Sequence, residues 1–210
     1  MKIAIPIFEQ LTALDAVGPY EVLSRLPGAE VMFVATEPGP KRTETRMLAL
    51  VADGALSDLP DPDVIVVPGG KGTRELMVDD DFLQWLLAAH RQSQWTTSVC
   101  TGSLALAAAG ILNGLRATTH WMALDMLAHY GATPVTARVV EQGRVMTSAG
   151  VSAGIDMALT LAARIAGPEL AKAIQLGIEY DPQPPFDSGS TAKASPETIA
   201  LVRDRASTLA

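Results

Sequence analysis

The only cysteine of the 210-residue chain, Cys100, lies between a β-branched run and a run rich in alanine and leucine. Thr96–Val99 predicts a buried strand, and Ser103–Ala109 predicts a helix. Cys100 is therefore expected at a strand-to-helix turn, where Gly102 allows a tight bend, as in a nucleophile elbow. A thiol at a helix N-terminus faces unpaired N–H groups, which favour the thiolate and predict a lowered pKa. The alternative is a small core residue, but an interior cysteine needs no such turn, so we favour a nucleophile.

Asp15 is the acidic residue that could act together with this thiol. It lies in the loop after the first predicted strand, shortly before Gly18 and Pro19, where an aspartate often serves as a helix N-cap. Proton handling beside the thiol is the other interpretation, and the two roles are compatible. A nearby like charge and partial burial both disfavour an ionised carboxyl group, so Asp15 could hold a proton and deliver it.

A pair of glycines, Gly69 and Gly70, follows the predicted strand 63–67. Their backbone N–H groups, together with that of Thr101, could form an oxyanion-type cradle around whatever Cys100 attacks. A tight turn after the strand would also explain the two glycines. The residues that follow match no nucleotide-binding or dinucleotide-binding glycine pattern.

His120 lies twenty residues after the cysteine and could approach the thiol. The two other histidines, His90 and His129, lie at polar ends of predicted helices and are expected on the surface. No set of histidines and cysteines has the spacing of metal ligands, so the sequence predicts no metal site.

These residues need a scaffold that brings separate loops together, and strands alternate with helices along the chain. Strands are predicted at 2–8, 30–36, 63–67, 96–99, 138–141 and 145–148, and helices at 18–26, 80–91, 103–109, 121–130, 151–166, 169–177 and 196–208. The segment 38–53 suits short strands or a hairpin. Repeated β-α units predict a doubly wound α/β fold, with a mostly parallel sheet and helices on both faces. Ligands bind at the carboxyl ends of such strands, where the loop after Phe8, the glycine pair and the Cys100 turn should converge.

Composition limits the classes of function. With 48% hydrophobic and 19% charged residues, the chain is typical of a globular domain. A net charge of −7 argues against partners such as nucleic acid or an anionic membrane, which attract basic surfaces. A single cysteine excludes an internal disulfide, and the N-terminal residues show no signal-peptide pattern. We therefore expect a cytoplasmic protein with no membrane partner.

Six motifs together resemble the ThiJ/PfpI superfamily, which has a flavodoxin-like fold related to class I glutamine amidotransferases. They are Leu14–Pro19, Val67–Gly70, Ser98–Gly102, Thr118–Trp121, Thr147–Asp156 and Glu179–Phe186, and the match extends from Lys2 to about Ser190. The aspartate before Gly-Pro, the Cys-Thr-Gly turn and the Tyr-Asp-Pro-Gln-Pro-Pro-Phe arm are most similar to the isonitrile hydratase branch.

The resemblance implies a homodimer that adds water to isonitriles to give N-substituted formamides, without a cofactor. It makes Cys100 the nucleophile that forms a covalent thioimidate, Asp15 the carboxylate that handles the proton, and Thr101 an active-site neighbour. The residues expected to surround the substrate are Gly69, Gly70, His120, Trp121 and Val151. The family domain is expected over residues 1–190, with a C-terminal helix at 191–210 packed on it.

Other branches of the superfamily differ at these positions. Peptidases of the superfamily carry histidine where this chain has Thr101, and the deglycase branch uses a glutamate where this chain has Asp15. Two other functions stay open: glyoxalase or deglycase chemistry on small carbonyls, and a non-enzymatic sensor in which Cys100 is the switch. Trp121, Val151 and Ile155 give the region an apolar character, which favours an isonitrile with an apolar substituent.

Overall fold

The computed structural model describes residues 1–208 of the chain. Its strands are β1 (Lys2–Pro6), β2 (Glu30–Ala35), β3 (Gly39–Arg42), β4 (Ala49–Ala52), β5 (Gly54–Ala55), β6 (Val64–Val67), β7 (Trp95–Val99), β8 (Arg116–Ala117), β9 (Thr133–Pro134), β10 (Val139–Gln142) and β11 (Val145–Ser148). Its α-helices are α1 (Ala13–Leu23), α2 (Thr73–Leu76), α3 (Asp80–Gln92), α4 (Gly102–Ala108), α5 (Leu124–His129), α6 (Ala153–Ala166), α7 (Pro168–Gly177) and α8 (Pro196–Thr208). Two 3₁₀ helices cover Leu56–Asp58 and Trp121–Ala123.

Within the described residues, seven strands form the central sheet in the order β10-β11-β7-β6-β1-β2-β5. Adjacent strands are parallel, except that β10 and β11 are antiparallel. All four residues of β6 are buried, because a central parallel strand is covered on both faces, and this explains its uniformly β-branched sequence. The strands β3 and β4 pair as an antiparallel hairpin. The predicted α/β fold and the hairpin at 38–53 are confirmed.

Two groups of helices flank the sheet. Helix α1 packs on α6 and α6 packs on α7, whereas α4 contacts α2, α3 and α5. Glycines allow the close approach of α1 and α6: a Cβ at Gly18 would lie 3.1 Å from Cγ1 of Ile155. This tight contact fixes the first turn of α1, which carries Asp15, relative to the loop that begins α6.

Helix α1 begins earlier than the sequence predicts. The Gly18-Pro19 pair predicts a helix that opens at residue 18, but α1 starts at Ala13 and contains Pro19 in its interior. Because proline has no N–H, the carbonyl of Asp15 lacks its helical donor, a loss that the packing of α1 tolerates. Thr12 occupies the N-cap position, and the Asp15 side chain bonds to another loop. The interpretation of Asp15 as an N-cap is therefore wrong.

The chain divides into two compact units, Met1–Ile178 and Glu179–Ala210. The first contains the central sheet and helices α1 to α7, whereas the second contains an irregular segment and α8. The predicted boundary at residue 190 lies later than this division, and the packing of the C-terminal helix on the first domain stays a prediction. No helix within residues 1–208 is long and apolar enough to cross a membrane.

Candidate active site

Three loops meet at the carboxyl ends of β1, β6 and β7. Thr12 donates its backbone N–H to the carbonyl of Gly69 over 2.9 Å, and the N–H of Gly69 donates to Oδ2 of Asp15 over 3.0 Å. The hydroxyl of Thr101 accepts from the N–H of Gly70 over 3.0 Å. The predicted convergence of the loop after Phe8, the glycine pair and the Cys100 turn is confirmed.

Cys100 lies at a strained strand-to-helix turn. Its backbone φ is +56°, a left-handed value that is rare for a residue with a side chain. The surrounding structure holds this conformation in place: the Cys100 N–H donates to the carbonyl of Ala149 over 3.0 Å, and the Cys100 carbonyl accepts from the hydroxyls of Thr119 and Ser103 over 2.9 and 3.2 Å. Strain that is held by several hydrogen bonds is typical of functional sites, and the predicted turn is confirmed.

The sulfur of Cys100 has three polar neighbours. The backbone N–H groups of Val151 and Thr101 donate to it, and the Asp15 carboxyl group lies within hydrogen-bonding reach. Val151, which precedes α6, has a positive φ of 32°, so its backbone is also held in an uncommon conformation. The structure thus brings together Cys100, Asp15, Thr101 and Val151, four of the predicted site residues.

The thiol and the carboxyl group are both removed from solvent. The side chain of Asp15 has no exposed surface, and Cys100 is 5% exposed. Burial raises the pKa of Asp15 to about 7, and the negative charge of Glu44 adds to this, against the opposing effect of the Gly69 N–H. Burial, and then the charge of Asp15, raise the pKa of Cys100 to about 12. The expectation of a lowered thiol pKa is therefore wrong, because these effects outweigh the two backbone N–H donors.

The two groups must be considered as a pair, because each changes the charge state of the other. Above the raised pKa of Asp15, about 7, the pair holds one proton, which either the sulfur or the carboxyl group can carry. Proton transfer from sulfur to carboxylate gives a thiolate beside a neutral carboxylic acid. The arrangement therefore places a nucleophile and a proton donor next to each other without any net loss of a proton.

The two oxygens of Asp15 have different environments. Oδ2 accepts the Gly69 N–H, whereas Oδ1 is fully buried and lacks a hydrogen-bond partner of ordinary geometry within residues 1–208. An unpaired buried carboxylate oxygen is costly unless it is protonated or meets a ligand. Oδ1 is therefore the oxygen on which a transferable proton is most easily held.

The glycine pair holds other residues of the site in position. The Gly69 N–H bonds to Asp15 and the Gly70 N–H bonds to Thr101, and the N–H of Thr101 bonds to the Cys100 sulfur. All three donors of the expected oxyanion-type cradle thus have partners inside the protein. The structure shows a positioning role for Gly69 and Gly70, and their part in an oxyanion-type cradle stays a prediction.

His120 and Trp121 border the site. The ring of His120 lies against Gly150, next to Val151, and its Nδ1 accepts from the Met122 N–H over 3.4 Å. Burial lowers the pKa of His120, which favours a neutral ring. The Trp121 ring lies 5.7 Å from the His120 ring between centroids, and Trp121 is partly buried. Both residues are therefore close to the loop that binds the sulfur.

The hydroxyls of three residues that were not predicted as site residues support the site: Thr73, Ser103 and Thr119. Thr119 precedes the recognised His-Trp pair and Ser103 is in the elbow helix, so both were adjacent to recognised motifs. Thr73 lies in the short helix α2, which no periodic pattern indicated. Within residues 1–208, no group of three or more histidine, cysteine, aspartate or glutamate side chains could hold a metal ion; the absence of a metal stays a prediction.

Comparison with known proteins agrees with this geometry. Residues 1–164 match the model of the DJ-1/PfpI family. The chain is 45% identical over 206 residues to an isonitrile hydratase of Pseudomonas putida, which covers 98% of this chain and 90% of that protein. An HTH-type transcriptional regulator of Pseudomonas aeruginosa is 35% identical, over 80% of this chain and 50% of its own length.

A solved structure has the same fold over nearly the whole chain. A ThiJ/PfpI family protein from Pseudomonas syringae superposes with a TM-score of 0.95 at 35% identity, over 99% of this chain and 86% of that one. The family match, the relatives and the strained cysteine turn at the sheet edge lead to the same assignment. The chain belongs to the DJ-1/PfpI family.

Proposed function

We propose that the chain is an isonitrile hydratase, which adds water to an isonitrile, R–NC, and releases the N-substituted formamide, R–NH–CHO. The observation that carries this proposal is the buried pair of Cys100 and Asp15, whose carboxyl group lies within hydrogen-bonding reach of the sulfur. The terminal carbon of an isonitrile must gain both a nucleophile and a proton, and the pair supplies both from adjacent atoms. The 45% identity to the Pseudomonas putida enzyme supports the same substrate class.

In the first half of the reaction, the proton moves from the Cys100 thiol to the Asp15 carboxylate and the thiolate attacks the isonitrile carbon. The neutral carboxylic acid gives its proton to the same carbon, which forms the covalent thioimidate R–N=CH–S–Cys. Sulfur and hydrogen each gain a bond to carbon, and Asp15 becomes a carboxylate again. The Val151 and Thr101 N–H groups stabilise the thiolate before it attacks.

In the second half, water adds to the thioimidate carbon and completes the hydration. The Asp15 carboxylate accepts a proton from the attacking water and passes it to the nitrogen, which gives R–NH–CH(OH)–S–Cys with Asp15 again a carboxylate; in the next step the hydroxyl proton returns to the pair. Collapse of this intermediate breaks the carbon–sulfur bond, releases the formamide and returns the pair with its single proton. The Asp15 carboxyl group, which lies within hydrogen-bonding reach of the sulfur, carries the proton in both halves, and the bond from Gly69 to Oδ2 holds it in place.

Turnover of a simple alkyl isonitrile tests the proposal, with methylglyoxal and casein offered in parallel. We expect formation of the formamide, observed by mass spectrometry, with uptake of one oxygen from ¹⁸O-labelled water. The Cys100→Ala variant should lose this activity entirely while remaining folded, because the side chain is small and the attacking atom is removed. Turnover of methylglyoxal in place of the isonitrile would refute the proposal in favour of carbonyl chemistry.

The proposal includes a homodimer in the cytoplasm that binds neither nucleic acid nor membrane. Large apolar side chains are exposed on the β3–β4 hairpin, where Met47 is 85% exposed and Val51 is 54% exposed, and a second copy of the chain could cover them. Sedimentation at micromolar concentration should show a species of twice the mass of one chain. A clean monomer would contradict this part of the proposal.

A further inference from the structure

Thr73, the first residue of α2, is joined to the site through a buried hydroxyl. Its side chain is 1% exposed, and its Oγ1 lies 3.0 Å from Oγ1 of Thr101. The Thr101 hydroxyl is in turn 3.0 Å from the nitrogen and 3.2 Å from the carbonyl oxygen of Gly70. The Thr73 hydroxyl is thus two hydrogen bonds away from the glycine pair that bonds to Asp15.

The direction of these hydrogen bonds follows from a count of donors. A threonine hydroxyl has one proton to donate and can accept two hydrogen bonds. Thr101 accepts from the Gly70 N–H and donates to the Gly70 carbonyl, so its remaining position accepts from Thr73. If Thr101 donated to Thr73 instead, the proton of the buried Thr73 hydroxyl would have no acceptor within residues 1–208, which is costly.

Thr73 holds the glycine pair from two directions. Its backbone N–H donates to the Gly70 carbonyl over 3.2 Å, and its hydroxyl holds the Thr101 side chain that spans the N–H and carbonyl of the same glycine. On the other side, the Thr12 N–H binds the Gly69 carbonyl. These contacts fix the Gly69–Gly70 peptide group and the Gly70 carbonyl, and so limit the movement of the adjoining Pro68–Gly69 peptide group, which carries the Gly69 N–H.

We propose that Thr73 is a positioning residue, which holds Thr101 and the glycine pair so that Asp15 keeps its one backbone N–H donor. The inference rests on the proposed role of Asp15 in proton transfer. The groups that act on the charge of Asp15 are the Cys100 thiol and Glu44, which interacts through its negative charge. The Gly69 N–H favours the ionised carboxylate, so misalignment of this donor makes Asp15 harder to ionise.

The test uses the rate at which iodoacetamide modifies Cys100, measured between pH 5.5 and 9.5. Thr73→Val removes the hydroxyl and keeps the shape of the side chain, whereas Thr73→Ser keeps the hydroxyl. Thr97→Val is the matched control, because the fully buried Thr97 also loses a hydroxyl bond, to the Ile65 carbonyl at 2.9 Å, but has no link to the glycines.

In the wild type we expect a step in the modification rate with an apparent pKa near 7, where the pair loses its first proton. In Thr73→Val this pKa should rise by about 0.5 or more, the scale expected for weakening a hydrogen bond to a charged group. Thr73→Ser should restore the wild-type value, and Thr97→Val should retain it. Isonitrile turnover should show kcat reduced at pH 7 with KM unchanged.

An unchanged pKa in folded Thr73→Val would overturn the inference, as would an equal rise in Thr97→Val, which would indicate a general effect of losing a buried hydroxyl. If Thr73→Val does not fold, Thr73→Ala gives the same comparison without crowding the site. The modification assay needs no isonitrile. A wild type that fails to hydrate isonitriles would therefore refute the proposed function while leaving the role of Thr73 to be decided by the pH profile.

Discussion

The two ends of strand β7 bury polar groups in opposite ways. At its start, a set that we name the His90 cluster joins His90, Ser93, Thr96 and Arg144. The Nδ1 of His90 lies 2.8 Å from Oγ1 of Thr96, Arg144 donates to the carbonyls of His90 and Ser93, and its Nη2 lies 3.3 Å from Nε2 of His90. At the other end, Oδ1 of Asp15 has no hydrogen-bond partner of ordinary geometry among the described residues, and Cys100 has a positive φ.

The two ends thus differ in whether their buried polar groups are paired, and this property distinguishes a structural polar cluster from a reactive site. Because arginine only donates, Nε2 of His90 must accept, and Nδ1 must then donate to Thr96. The His90 cluster therefore satisfies its ring nitrogens within the protein. The Cys100 end leaves a carboxylate oxygen and a strained turn that the fold alone does not need, which is the pattern expected where a ligand or a proton completes the arrangement.

The largest effect is expected from Asp15→Asn, which removes the proton but keeps the shape. Turnover of an isonitrile should fall by roughly 100-fold or more, the scale for the loss of an acid–base group.

The stability of the folded protein, in contrast, should rise in Asp15→Asn. The folded pKa of Asp15, about 7, lies above its ordinary value of 3.8, so the ionised carboxylate destabilises the fold above pH 7 and this cost disappears as the pH falls.

Asp15→Asn should therefore raise the melting temperature at pH 9, by about 2 to 4 °C for each kcal/mol that the buried, ionised carboxylate costs. The increase should be smaller at pH 5, where less of the carboxyl group is ionised. Calorimetry at both pH values gives the measurement. Asp63→Asn serves as the control, because the Asp63 carboxylate accepts exposed hydrogen bonds, from the Lys2 N–H at the start of β1 and from the Gln94 side chain before β7. Normal turnover in Asp15→Asn would show that the Asp15 carboxyl group is structural and does not carry the proton.

A smaller loss of activity is expected from Gly69→Ala. The added Cβ would lie 2.6 Å from the nitrogen and Oγ1 of Thr101, so the turn must shift and the N–H of residue 69 must move away from Asp15. We expect turnover to fall about tenfold, because a tenfold change in rate corresponds to the free energy of roughly one hydrogen bond to a charged group. The pKa of the Cys100–Asp15 pair should rise, because the carboxylate loses its N–H donor.

The matched control for this change is Gly177→Ala, at the end of α7, where an added Cβ meets nothing within 4 Å. Turnover measured across pH 6 to 9 for both variants distinguishes a local effect from a general one. If Gly69→Ala and Gly177→Ala had the same activity, the glycine turn would not be needed to position the carboxylate.

The sequence predicted the residues of the Cys100 end of β7 better than those of the His90 cluster at its start. Cys100 was recognisable because a strand pattern and a helix pattern meet at it, and the order of strands brings the loops of Asp15 and Gly69 to the same edge. The partners of the individual N–H groups were not predictable, because they depend on distances between loops far apart in sequence. The lowered thiol pKa was expected from the helix alone, and burial beside Asp15 reversed it.

The prediction that His90 lies on the surface is wrong, although the sequence places it at the polar end of α3. In the structure the ring is half-buried, because Arg144, 54 residues away, and Thr96 enclose it. Periodicity indicates which face of a helix is apolar, but it does not reveal a polar contact supplied by another strand. Thr73 was missed for the same reason, since its partner Thr101 comes from a different loop.

The smallest effect is expected from His90→Gln, measured as the free energy of unfolding in urea between pH 8 and pH 5. Burial, and then the charge of Arg144, lower the pKa of His90 below its ordinary value of 6.5. The unfolded chain therefore binds the proton more readily, and the contribution of His90 to stability is lost as the pH falls below 6.5. Wild type should lose more stability than His90→Gln over this range, whereas the exposed His129→Gln should follow the wild type. Asp15 acts with the opposite sign in the same range, so the comparison is best made in the Asp15→Asn background. His120, whose pKa burial also lowers, contributes there equally with and without His90→Gln. Equal slopes for Asp15→Asn with and without His90→Gln would show that the His90 cluster tolerates a charged ring, and that its complete hydrogen bonding does not depend on a neutral histidine.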